Sequence, residues 1–210
     1  YNKDVVSNGQ WPELAYRDWQ PTCETLHLWT QIVGKIRLAQ TPWQIHSWHA
    51  TLYVTARGLT TSPIPYETGA FQIDFDFVEH VLIIRTSSGA ARTLPLQAES
   101  VAAFHSRLFH ALGDLSLNVA ISGRPNEVSN PIPFAEDHVH EAYDPEYVRR
   151  FHRVLLAADR ALKEAAERIE AAAANDPDIA EENIWVVEPL QGDQATTSVA
   201  GTSDDDLLLA

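Results

Sequence analysis

Four residues at helical spacing are the first candidates for chemistry. Glu24, His27, Gln31 and Lys35 follow one another at steps of three, four and four. On a helix they line one side. Glu24 is then placed to orient the His27 imidazole, a group that moves protons near neutral pH. Lys35, at the far end, offers a cation to a ligand anion. Two adjacent Glu-x-x-His helices build di-metal sites, but this chain has a single such pair, so no metal is assigned. The alternative is a solvated helix face held by pairs three and four residues apart.

The second candidate is Trp43-Gln44-Ile45-His46-Ser47-Trp48-His49. A strand is expected from Trp48 to Arg57, because Trp48, Ala50, Leu52, Val54 and Ala56 alternate with His49, Thr51, Tyr53, Thr55 and Arg57. His49, Tyr53 and Arg57 then share a face. At roughly 3.3 Å per residue, Tyr53 lies about 13 Å from His49, so the three line a groove and do not converge on one atom. His46 adds a ligand-binding imidazole at the strand entrance. Arg57 is suited to hold a carboxylate or phosphate bidentately. The competing reading makes the histidines ordinary hydrogen-bonded residues and the tryptophans core.

A third cluster, Asp137-His138-Val139-His140-Glu141, has the residue types of a divalent-metal site. It directly precedes Asp144-Pro145-Glu146, a helix start where acids are favoured for capping alone, so a loop reading is preferred. No phosphate loop, dinucleotide-binding turn, zinc-protease motif or hydrolase elbow occurs. Cys23, the one cysteine, falls on the stripe expected to be buried and reads as a small core hydrophobe.

The elements that must position these groups follow from hydrophobic period. A first helix is expected over about 19–38, with Trp19, Cys23, Leu26, Thr30, Val33 and Ile36 facing the core and Pro21 in its first turn. Phe71, Ile73, Phe75 and Phe77 alternate with Gln72, Asp74 and Asp76, and with runs at 81–86 and 93–96 they predict an antiparallel meander. Thr60 to Pro65 is expected to be an extended loop. A helix over 100–112, a short strand over 117–121 and a helix over 145–174 complete the chain. The fold class is α+β: an antiparallel sheet of four to five strands, packed on one face by about three helices. The other face carries His49, Tyr53, Arg57, Asp74 and Asp76.

The net charge of −14 is uneven: residues 1–163 carry −3 and residues 164–210 carry −11. This disfavours nucleic acid as a partner. No apolar run approaches a membrane span. Residues 1–175 are expected to form one domain. Residues 176–210 are an acidic tail, expected to be disordered because it has little apolar area to offset ordering entropy. With one cysteine and no export signal, a cytoplasmic location is the default.

Several ordered motifs resemble a family of uncharacterised bacterial proteins, a domain of unknown function. They are Trp11-Pro12-Glu13-Leu14, Thr25-Leu26-His27-Leu28-Trp29-Thr30-Gln31, Gly34-Lys35-Ile36-Arg37, His46-Ser47-Trp48-His49, Leu52-Tyr53-Val54-Thr55 and Arg57-Gly58-Leu59-Thr60-Thr61-Ser62. The resemblance covers about residues 11–163 and implies no established activity. Ile45 stands where such proteins carry Asn. Members of the family continue into a longer segment rich in Phe, Trp, Ser and Gly; if the family's site needs both segments, the resemblance implies an incomplete pocket or no activity here.

These readings converge on a small-molecule-binding domain whose site lies between the first helix and the strand at 48–57. Whether it is an enzyme stays open. His27 and His49 are the catalytic candidates with Glu24 as orienting acid. Lys35, His46, Tyr53 and Arg57 are the ligand-binding candidates. No cofactor is specified, nor an oligomeric state. A non-catalytic interaction protein and a truncated family member without activity are the alternatives.

Overall fold

The computed structural model describes residues 11–42 and 51–175. The chain divides into two compact units, Tyr1–Lys163 and Glu164–Ala210. The boundary between them falls inside the last helix. The first unit holds the sheet and the site.

Helix α1 spans Tyr16–Gln40. It begins three residues before the expected start, so Pro21 sits in the second turn and leaves the Arg17 carbonyl without its usual helical donor. Arg17 is exposed, so the lost helical bond costs little there. At the other end the Thr41 amide and hydroxyl both donate to the Arg37 carbonyl, at 3.0 and 2.6 Å. Helix α2 spans Val101–Asp114, and the Ser100 hydroxyl accepts from the Ala103 amide as an N-cap. Helix α3 spans Pro145–Asn175. Asp144 caps it by accepting from the Glu146 amide at 2.9 Å, and the Asp144 amide donates to Thr22 Oγ1 on α1 at 3.1 Å.

Of the strand expected over 48–57, residues 48–50 lie outside the described residues, and the remainder turns back on itself as a hairpin. Strands β1 (Tyr53–Thr55) and β2 (Gly58–Thr60) pair antiparallel around a two-residue turn at Ala56-Arg57. Gly58 is required there: a Cβ would lie 2.0 Å from the Phe75 carbonyl oxygen, a backbone atom that cannot yield. The stretch expected to be a loop holds β3 (Ile64–Tyr66), which pairs with the first part of β4 (Gly69–Asp76). Strand β2 pairs with the last part of the same edge. Between them Thr61, fully buried, closes the ladder: its amide donates to Ile73 O and its hydroxyl accepts from Ile73 N, each at 3.0 Å. Strands β5 (Val81–Thr86) and β6 (Ala91–Pro95) complete an antiparallel sheet in the order β1-β2-β4-β5-β6, with β3 beside β4.

The fold is therefore α+β, with six strands in its sheet. The strand expected at 117–121 does not form. Leu117 and Val119 are buried, but this segment is irregular backbone that returns its amides locally, Leu117 N to Leu112 O and Val119 N to Leu117 O.

Alternation along the strands sorts the two sheet faces. Phe71, Ile73, Phe75, Leu82 and Ile84 are buried against Trp29, Ile32, Val33 and Ile36 of α1 and Phe104, Leu108 and Leu112 of α2. Trp29 stacks on Phe104 with ring centres 4.6 Å apart, and on Tyr143 at 5.6 Å. The opposite face carries Gln72, Asp74, Ile83 and Arg85, where Arg85 pairs with Asp74 at 2.5 Å.

Candidate functional site

Helix α1 serves two environments. Its Trp29, Ile32, Val33 and Ile36 face the core. The side carrying Cys23, His27, Thr30, Gln31, Gly34, Lys35 and Leu38 faces an open groove of about 640 Å³. Leu52, which precedes β1, and Leu59 of β2 form one wall, and Phe151 and Leu155 of α3 another. Trp19 closes one end, its ring 5.1 Å from that of Phe151. Asn126 and Glu127, from the loop after α2, form the remaining rim. The size suits a small organic ligand, and the lining is apolar apart from polar groups along α1 and at the Asn126-Glu127 rim.

Those polar groups are organised by Gln31. Its Oε1 accepts from the Asn126 amide at 2.9 Å and its Nε2 donates to the Asn126 carbonyl at 3.0 Å. The pairing orients the side-chain amide, because only one end accepts. The second Nε2 proton then points to His27 Nε2, 3.2 Å away. An amide donor at Nε2 requires a lone pair there, so the network assigns the His27 proton to Nδ1. His27, exposed at the groove, thus presents a donor, and its basic nitrogen is already occupied. Lys35 Nζ donates to Asn126 Oδ1 at 3.0 Å, and burial pushes its pKa down. Its amine makes no ion pair among the described residues.

Two of the sequence candidates, His27 and Lys35, line the groove. Glu24 does not orient His27; it accepts from Gln20 Nε2 at 2.8 Å, one turn in the other direction. Tyr53 lies instead against Arg37, whose guanidinium sits 4.9 Å from the ring centre, and Arg37 also bonds the Thr51 carbonyl. Arg57 is at the hairpin tip and holds Asp76 at 2.6 Å and Glu79 at 3.5 Å. The strand break at Ala56-Arg57 is what separates it from Tyr53. His46 and His49 fall outside the described residues. Cys23, expected in the core, is half-buried and lines the groove. Burial, and then the charge of Glu24, raise its thiol pKa, so the neutral thiol dominates at pH 7.

The 137–141 cluster is a loop closure. Asp137, 1% exposed, accepts from the Val139 and His140 amides and from His140 Nδ1 at 2.7 Å. No group of three metal-ligating side chains occurs among the described residues, and none of their helices is long and apolar enough to cross a membrane.

The groove walls were not foreseen. Phe151 and Leu155 carried a helical period that reads equally well as core. Asn126 carried no signal at all, because its role depends on a contact 95 residues distant in the chain.

No curated protein and no solved structure matches the chain. A family model matches residues 11–171, which takes in every residue that lines the groove. The chain belongs to the family of unknown function DUF5996.

Proposed function

We propose that the chain is a small-molecule-binding domain whose ligand lies in the groove along α1. The observation that carries this is the groove itself: about 640 Å³, walled by Trp19, Leu38, Leu52, Leu59, Phe151 and Leu155, with its polar groups along α1 and on the facing rim at Asn126 and Glu127. Walls of this kind supply burial, and a few placed donors supply orientation. His27 offers Nδ1–H to a ligand acceptor, and Lys35 offers an ammonium. Leu38 and Leu52 both line the groove, and His46 and His49 lie between them in sequence, which keeps both as candidate ligand contacts. A cytoplasmic setting fits, because the single Cys23 stays a free thiol there.

Cys23 makes the reading testable. It is the only cysteine, so thiol alkylation reports on the groove alone. A metabolite screen by thermal shift should yield compounds that raise Tm by mass action and slow Cys23 alkylation. Stabilising compounds that leave the alkylation rate unchanged would place the ligand elsewhere.

A second reading, a non-catalytic interaction protein, is favoured by one observation. Leu162 of α3 is 72% exposed, and Leu156 on the same helix is 37% exposed. Under this reading Leu162→Ser abolishes partner capture and leaves folding intact.

A further inference from the structure

We infer that the groove takes an amphipathic monocarboxylate, its head on Lys35 and its apolar body running along α1 toward Trp19 and Phe151. This rests on the small-molecule reading and adds the class of ligand.

The groove is charged at one end. Among the described residues Lys35 Nζ makes one hydrogen bond, to the neutral Asn126 Oδ1. An ammonium has three donors, so two remain for a ligand. No carboxylate lies within 4.0 Å of it among the described residues. Leu38, Leu52 and Leu59 share the lining, and in apolar surroundings an ion pair is stronger than in water. Gln31 does not compete for the head group, since both its amide atoms are bonded to Asn126.

The other end is uncharged. Trp19, Cys23, Leu26, Phe151 and Leu155 line it. At 1.5 Å per residue, Lys35 and Trp19 are about 24 Å apart along α1, and His27 is about 12 Å from Lys35. Cys23 is about 18 Å from Lys35 by the same rise, so a ligand with its head on Lys35 runs past His27 along this wall, and only a long chain reaches Cys23 and Trp19. Glu127 is the other charged residue of the lining and is exposed. Its carboxylate opposes a second negative charge at the mouth. A single carboxylate therefore suits the groove better than a phosphate dianion.

The test is calorimetric titration of the full chain with decanoate, decanol and decyl phosphate, on wild type, Lys35→Met and Lys35→Arg. Decanoate is expected to bind wild type about tenfold more tightly than decanol, the size of one charge-assisted contact. Lys35→Met, which keeps an apolar stem, should bring decanoate down to the decanol level and leave decanol unchanged. Lys35→Arg should retain the preference and shows that the position tolerates substitution. Equal affinities in wild type, or decanoate binding indifferent to Lys35→Met, would overturn the carboxylate assignment and leave the groove reading standing. Decyl phosphate binding more tightly than decanoate would overturn the single-charge preference. Binding of neither acid nor alcohol would overturn both readings.

Discussion

Asp76→Ala is expected to cost about 3 kcal/mol of folding stability, and Arg57→Ala a small fraction of that, although the two residues form one ion pair. The Asp76 side chain is 9% exposed and that of Arg57 is 52% exposed. Asp76 Oδ2 accepts from Arg57 Nε at 2.6 Å, while Oδ1 accepts from the Val78 and Glu79 amides at 3.0 and 2.9 Å. Those two amides begin the turn between β4 and β5. Bonds to a charged acceptor contribute roughly 1.5–3 kcal/mol each. Val78 is 43% exposed, so water partly replaces the lost acceptor and the low end applies to both. Removing Arg57 leaves the turn closed, and an exposed ion pair contributes little. Burial raises the Asp76 pKa, but the Arg57 hydrogen bond and the Glu79 and Val78 amides outweigh it, and the net shift is downward. A depressed carboxyl contributes stability that is present above its unfolded value, about 3.9, and lost as pH falls through the folded value. The deficit of Asp76→Ala should therefore narrow at low pH. Urea unfolding followed by far-UV circular dichroism measures both effects, with an unchanged slope on denaturant as the control. Equal losses for the two variants, or a deficit that is the same at pH 3 and pH 7, would refute this account of the turn. Arg57→Ala should also leave decanoate affinity unchanged, because Arg57 pairs with Asp76 and Glu79 and is not among the residues that line the groove.

Three further outcomes follow from other contacts. Burial lowers the His80 pKa, Arg149 lowers it further, and Asp76 and Glu79 partly oppose them. Stability tied to this imidazole is full above about pH 6.5 and falls as pH drops toward the folded value; His80→Asn, tolerated at φ 53°, should flatten the decline between pH 7 and 5 in thermal melts. Gly58→Ala should lower stability by more than about 2 kcal/mol, since its Cβ meets the Phe75 carbonyl; a Tm within a degree of wild type would contradict that close approach. Gln31→Leu should cost about 1 kcal/mol and selectively speed hydrogen exchange at the Asn126 amide, while equal protection in both proteins would show that the loop is held by other means.

The helices were legible because their signals are local. Ser100 and Asp144 mark the starts of α2 and α3 with side chains that bond the first-turn amides, and the apolar period fixes the buried stripe. The start of α1 was misplaced because its N-cap, Ala15, has no side-chain hydrogen bond. The strand at 48–57 was read through a turn because Ala56-Arg57 carries none of the Asn-Gly or Asp-Gly chemistry that marks two-residue hairpins. Gly58 was the available clue, and its reason, the Phe75 carbonyl, lies in another strand. Pro65 argued against a strand at 64–66, yet β3 bonds only along β4, as an edge strand that can accommodate proline.

The site divides along the same line. Helical steps sufficed to place His27, Gln31 and Lys35 on one edge. They did not decide which neighbour each residue bonds, because Glu24 stands three residues from His27 and four from Gln20, and either pairing fits an α-helix. The choice of Gln20 changes the chemistry. A carboxylate beside His27 would stabilise an imidazolium, as in proton-transfer dyads. The Gln31 amide instead supplies a donor, which demands neutral nitrogen at Nε2 and leaves Nδ1–H outward. That amide is in turn oriented by the backbone of Asn126, 95 residues away, a contact no local pattern encodes. A loop with no motif thus converts a helix face that resembles an acid–base pair into a row of hydrogen-bond donors. Donors in a largely apolar groove favour holding an acceptor-bearing ligand over removing its proton.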